Sequence, residues 1–194
     1  MLILSILLET AAAGALLLPV FLLLNKFLIH DMKCTAAFFI FTLYLAAVWN
    51  LVGLPNITYI RFHLHVNLIP FADMMVDFST LLNILLFVPL GFFLPLLWSD
   101  FRSVKKTVLW GLFTSLSIEL LQIFTFRATD INDLITNTLG TAIGWLLAIS
   151  LLKKYPFMGC DKAERAVTQL YGLVFVIMFF IQPFLSGFFW NLIY

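Results

Sequence analysis

Six stretches of roughly 20 mostly apolar residues recur along the chain, at 2–24, 34–54, 80–98, 104–126, 134–152 and 166–190. At the helical rise of about 1.5 Å per residue, each can cross some 30 Å of hydrocarbon. A soluble fold of 194 residues cannot bury six such segments, because too little polar surface would remain to cover them. Composition agrees: 63% of residues are hydrophobic and 11% are charged, against about 25% charged in soluble domains, and mean hydropathy is +1.07. The expected fold class is an all-α membrane protein, a compact bundle of about six transmembrane helices forming a single domain over 1–194. The first stretch lacks a basic leader, and its apolar run exceeds that of a signal peptide, so it reads as a retained span. In the last, Pro183 and Gly187 are the places where the helix could kink or end.

Lysine and arginine in short loops set the orientation, since they favour the cytoplasmic side. Loop 25–33 carries Lys26 and Lys33, loop 99–106 carries Arg102, Lys105 and Lys106, and loop 153–165 carries Lys153, Lys154, Lys162 and Arg165. These alternate loops hold nine of the 11 basic residues; the opposite loops hold Arg61 and Arg127. The expectation is a bacterial cytoplasmic membrane with those three loops inside. Loops 55–79 and 127–133 and both termini lie outside. Cys34 and Cys160 then fall near the reducing face, where free thiols are expected. Neither belongs to a CxxC or CxxH pair. A net charge of +1 provides no basic field for nucleic acid.

The chemically unusual residues gather in the outer half. In 61–77, reading RFHLHVNLIPFADMMVD, polar and apolar residues alternate from Arg61 to Leu68, as in a short strand or an extended interfacial stretch, and Pro70 would end it. His63 and His65 share a strand face, yet no third ligand is nearby, so they read as interfacial histidines. In the fifth span Asp130, Asp133, Asn137, Thr141 and Gly144 are spaced 3, 4, 4 and 3 apart and share one helix face. Asp130 suits the N-cap and Asp133 the third position of a capping box; a site role is compatible with both. Gly140 and Gly144 form a GxxxG pattern that admits a close neighbour.

Glu119 is the residue hardest to explain as packing. With Ser115 and Gln122 it lies on one face of the otherwise apolar fourth span. A carboxylate within a span costs roughly 2.5–3.5 kcal/mol at the centre and less towards the interface, so it needs an interior partner. Arg127 is the expected partner and Gln122 a hydrogen-bond neighbour. A structural ion pair and a functional carboxylate both fit. Asn83 occupies the outer end of the third span, whose Pro89 frees a carbonyl at about Leu85. Glu9 is a separate acid in the first span. Arg61, Asn67, Asn83, Glu119, Gln122, Arg127, Asp130, Asp133 and Asn137 are therefore expected to line one polar cavity open to the outer leaflet. Glu119 and Asp133 are its candidate catalytic groups and the others ligand-binding candidates. Oxygen ligands on Glu119, Asp130 and Asp133 would suit Mg²⁺ or Ca²⁺, but Arg127 competes for them, and neither metal nor cofactor is expected.

These residues resemble the VanZ family, named for a membrane protein associated with teicoplanin resistance. The matching elements are Asn67-Leu68-Ile69-Pro70-Phe71, Asn83 with Phe87-Val88-Pro89-Leu90-Gly91, then Ser115, Glu119 and Gln122, and finally Arg127, Asp130, Asp133, Asn137 and Gly140. The family-like core is 61–152, with an extra N-terminal span at 1–24 and a last span at 166–190. The resemblance implies a multi-pass envelope protein that lowers susceptibility to glycopeptide antibiotics, and it names no reaction. A membrane lipid or a lipid-linked cell-wall precursor is the expected partner. The alternative is an intramembrane enzyme or binding protein for a phospholipid or polyprenyl-phosphate head group, with Arg61 and Arg127 on phosphate. No HExxH, GxSxG or Walker A pattern names a chemistry. A transporter fits less well, since no internal repeat is visible and the inner halves of the third to fifth spans are nearly all apolar.

Overall fold

The computed structural model describes residues 2–62, 66–67, 69, 78–125, 128–155, 160 and 165–193. The elements in chain order are α1 (Leu2–Leu24), α2 (Met32–Leu51), β1 (Val66–Asn67), α3 (Phe78–Leu97), α4 (Val104–Gln122), β2 (Thr129–Asp130), α5 (Ile131–Lys154), α6 (Arg165–Val176) and α7 (Gln182–Ile193). Among the described residues, five helical segments are long and apolar enough to cross a membrane: Ile6–Ile29, Met32–Leu51, Thr80–Leu97, Ile131–Lys154 and Ala166–Phe188. The fold class is thus an all-α membrane protein. α4 differs from the other expected spans: its 19 residues suffice in length, but Lys105, Lys106, Glu119 and a polar face lower its hydropathy.

The chain divides into two compact units, one of Met1–Ile60 with Arg165–Tyr194 and one of Arg61–Glu164. In the first, α1 runs on through a π turn at Asn25–Ile29 and stops at His30, whose left-handed φ of 54° cannot continue a helix. Asp31 then caps α2, its carboxylate accepting from the backbone N–H groups of Lys33 (2.9 Å) and Cys34 (3.3 Å). α6 and α7 form one rod joined by a π turn at Ile177–Ile181, so the expected break at Pro183 and Gly187 is instead a local adjustment. Pro183 has no N–H to offer the carbonyl four residues back, and that carbonyl, of Phe179, accepts from the Ile57 N–H at 3.0 Å. Rings of α2 and α6 pack edge to face, with Trp49 and Phe175 centroids 5.8 Å apart.

The second unit carries α3, α4 and α5 and an inverted polarity. On α4, Ser115 and Glu119 are 0% and 3% exposed, while their neighbours Leu116 and Leu120 are 41% and 53% exposed. A helix that hides its polar face and displays leucines is stable only where the surroundings are apolar, as in lipid. α5 follows the same rule. It buries Thr136, Asn137, Gly140, Thr141 and Gly144 and exposes Leu139, Ile143, Leu146 and Leu147.

Small residues bring these helices together. A Cβ on Gly140 would run into the Ile84 carbonyl of α3, and one on Gly144 into the Val88 carbonyl, so the backbones of α3 and α5 touch along the GxxxG face. From the other side, a Cβ on Gly91 of α3 would meet the Thr141 carbonyl, and Gly111 of α4 leaves room for the Thr141 side chain. The buried face of α5 therefore lies between α3 and α4.

Both cysteines depart from expectation. Cys34 and Cys160 are disulfide-bonded, and neither is a free thiol.

Candidate functional site

Polar residues singled out from the sequence meet where α5 begins. β1 and β2 form a short parallel ladder with Val66 opposite Thr129 and Asn67 opposite Asp130, extended by a bridge between Arg61 and Thr125. The alternation expected from Arg61 onward thus corresponds to real strand pairing at Arg61 and at Val66–Asn67. His63, His65, Leu68 and Pro70 lie outside the described residues. The ladder lays Asn67 beside Asp130, and its Nδ2 donates to Asp130 Oδ2 at 3.3 Å.

Asp130 is the N-cap of α5: its Oδ1 accepts from the Asn132 N–H at 2.8 Å. Its own N–H, which a capping box would satisfy from the third helical position, is held instead by Glu119 Oε2 at 2.9 Å. Thr129 Oγ1 donates to the Glu119 carbonyl at 3.0 Å, a second tie between β2 and the last turn of α4. Asp133, released from capping, turns to α3 and accepts from Asn83 Nδ2 at 2.6 Å. The expected box is thus divided between helices: Asp130 caps, Glu119 closes, and Asp133 reaches across. Three carboxylates surround one helix N-terminus, where the partial positive charge of the helix favours them.

One turn further in, Asn137 Nδ2 donates to Ser115 Oγ at 2.9 Å, and the Asn137 carbonyl accepts from Thr141 Oγ1 at 3.0 Å. Asn137 is 5% exposed, and its Oδ1 is buried with no hydrogen-bond partner among the described residues. Gln122 is buried on the same face of α4. Arg61 sits on the strand edge, its N–H donating to the Phe124 carbonyl at 2.9 Å and its side chain exposed. Arg127, the expected partner of Glu119, lies outside the described residues. No group of three His, Cys, Asp or Glu side chains among the described residues is placed to hold a metal ion.

The structure therefore brings together Asn67, Asn83, Glu119, Asp130 and Asp133, with Asn137 below them. Thr129 was not singled out from sequence, although a hydroxyl just before an N-cap Asp is a recognisable helix-start signal. Gly91 and Gly111 were missed as packing residues. Gly111 precedes Ser115 and Glu119 by four and eight residues, which places it on their face. Chemically, the arrangement is a set of acceptor oxygens fixed by amide and backbone donors. It suits recognition of a donor-bearing polar group or proton exchange at the membrane surface.

Comparison with known proteins bears on this same region. The model of the family described as VanZ/LLP1 matches residues 34–153. That match takes in every site residue described above and reaches back into α2, beyond the 61–152 core. Protein VanZ of Enterococcus faecium is 32% identical over 113 residues, covering 58% of this chain and 68% of that protein. No solved structure matches the chain.

Proposed function

Because this chain belongs to the VanZ/LLP1 family, we propose that it works at the outer leaflet of a bacterial cytoplasmic membrane and lowers susceptibility to glycopeptide antibiotics such as teicoplanin. The observation that carries this reading is the coincidence of the family match with the acid-rich cluster at the start of α5. In the orientation of the basic loops, with 25–33, 99–106 and 153–165 inside, that cluster faces outward. There it meets the lipid-linked cell-wall precursor and the drug that binds it. Asn67, Asn83, Gln122 and Asn137 offer hydrogen bonds, Glu119, Asp130 and Asp133 acceptor oxygens, and the neighbouring stretches of sequence add the cations Arg61 and Arg127.

A second reading is favoured by the same acids. Glu119 and Asp133 are candidate proton-transfer groups of an intramembrane enzyme or binding protein acting on a phospholipid or polyprenyl-phosphate head group. Arg61 and Arg127 would hold the phosphate.

The experiment is teicoplanin susceptibility in a sensitive bacterial host carrying no insert, the intact chain, or Glu119→Gln at matched membrane abundance. The expected result is protection by the intact chain that Glu119→Gln removes. Protection that survives Glu119→Gln would reduce Glu119 to a structural role. If the intact chain gives no protection, the resistance reading fails and the lipid head group takes its place.

A further inference from the structure

At the other end of α5, roughly 36 Å from its N-cap at 1.5 Å per residue, the second unit carries a groove that the acid cluster does not use. It measures ≈ 240 Å³ and is lined by Arg102, Ile149, Leu152 and Lys153. That is below the roughly 300–1,000 Å³ of pockets enclosing a drug-sized ligand, but enough for a small head group whose tails stay outside. Lys153 lies in the last turn of α5, and Arg102 closes the short 3₁₀ turn Ser99–Arg102 before α4. Both side chains are exposed, and among the described residues neither forms an ion pair. The one acid of that turn, Asp100, is engaged by Lys106 at 3.2 Å.

The wall of the groove is apolar and held in place. Trp145, Ile149, Leu152 and Lys153 are spaced 4, 3 and 1 apart and share a face of α5. Trp145 Nε1 donates to the Arg102 carbonyl at 3.1 Å, fixing the backbone of the arginine against the helix that bears the lysine. Along α5, Lys153 stands at the helix end, Leu152 and Ile149 come next, and Trp145 lies deepest, so two cations at the head of an apolar strip match a lipid in order: phosphate, then acyl chain.

We propose that this groove binds an anionic phospholipid, its phosphate between Arg102 and Lys153 and one acyl chain along Ile149 and Trp145. The proposal is independent of the reading of the acid cluster. Lys153 also complements the C-terminal dipole of α5; Arg102 has no such role, so the pair together defines the site.

The test uses the full chain purified in a neutral detergent and native mass spectrometry with phosphatidylglycerol or phosphatidylcholine bearing identical tails. The intact protein is expected to retain phosphatidylglycerol preferentially. Arg102→Gln with Lys153→Gln weakens that binding about thirtyfold, and each single change roughly fivefold. Lys26→Gln with Lys33→Gln removes the same charge elsewhere and leaves binding intact. Equal retention of the two lipids, retention by the Arg102/Lys153 double variant, or an equal loss in the control overturns the proposal. So does full displacement of the lipid by inorganic phosphate at the same concentration, which would make the site a simple anion site.

Discussion

Glu119 on α4 accepts a hydrogen bond from the backbone N–H of Asp130, the residue that caps α5, at 2.9 Å. One buried carboxylate thus completes the start of the neighbouring helix. Glu119→Ala leaves a part-buried N–H without its acceptor, at a cost of about 1–3 kcal/mol. Glu119→Gln can keep an acceptor oxygen there while removing the charge and the second carboxylate oxygen. In thermal unfolding of the detergent-solubilised protein, the alanine variant is expected to melt well below the glutamine variant. Equal melting temperatures would mean that this bond does not hold the helix start.

The α3–α5 contact gives a sharper stability prediction. Gly140→Ala and Gly144→Ala each put a methyl group into a backbone carbonyl, which no rotamer change relieves. Overpacking of this kind costs about 1–3 kcal/mol, and Gly144→Val is expected to prevent accumulation. Among the described residues, Gly172 and Gly187 have nothing within 4 Å of an added Cβ. Alanine there is expected to be neutral or to stabilise by up to about 1 kcal/mol through helix propensity. Parallel melting curves of the four alanine variants check this contrast.

Pro183→Ala restores a helical N–H that competes with Ile57 for the Phe179 carbonyl. Hydrogen exchange at the Ile57 amide is expected to speed up, with exchange in α4 and α5 unchanged. An unaltered Ile57 rate would show that the loop is held by other contacts.

The cysteines decide orientation. Disulfides persist in oxidising compartments and are kept open in the cytoplasm, whereas the proposed orientation, drawn from the basic loops, would put Cys34 and Cys160 inside. With that orientation, acid-quenched cells are expected to show both thiols reduced, the oxidised form arising only after release from the reducing compartment, and an impermeant maleimide to leave intact cells unlabelled. An oxidised protein in quenched cells would turn the molecule over and put the acid cluster on the cytoplasmic side.

Much of the architecture was legible because membrane helices write their packing into the chain with inverted polarity. The period of 3.6 placed Asn137, Thr141 and Gly144 on one face, and those residues are buried. GxxxG at Gly140 marked the face that α3 occupies. The start of α1 and the N-cap at Asp130 were readable from apolar run and capping chemistry alone. Less legible was α4, expected as one span among six. Its polar face is understood only once Thr141 is seen filling the space at Gly111.

The partners of the acids could not be read in this way. Sequence spacing offered Asp133 to the capping box, yet it meets Asn83, 50 residues away, while Asp130 meets Asn67, 63 residues away. Helical phase is a local property, fixed by the chain at about 100° per residue, so the sequence alone determined which residues face inward. Which inward residues touch depends on the offset between helices and on strand register. Those were decided by the backbone contacts at Gly140 and Gly144 and by the pairing of Asn67 with Asp130, and they exist only in the folded protein.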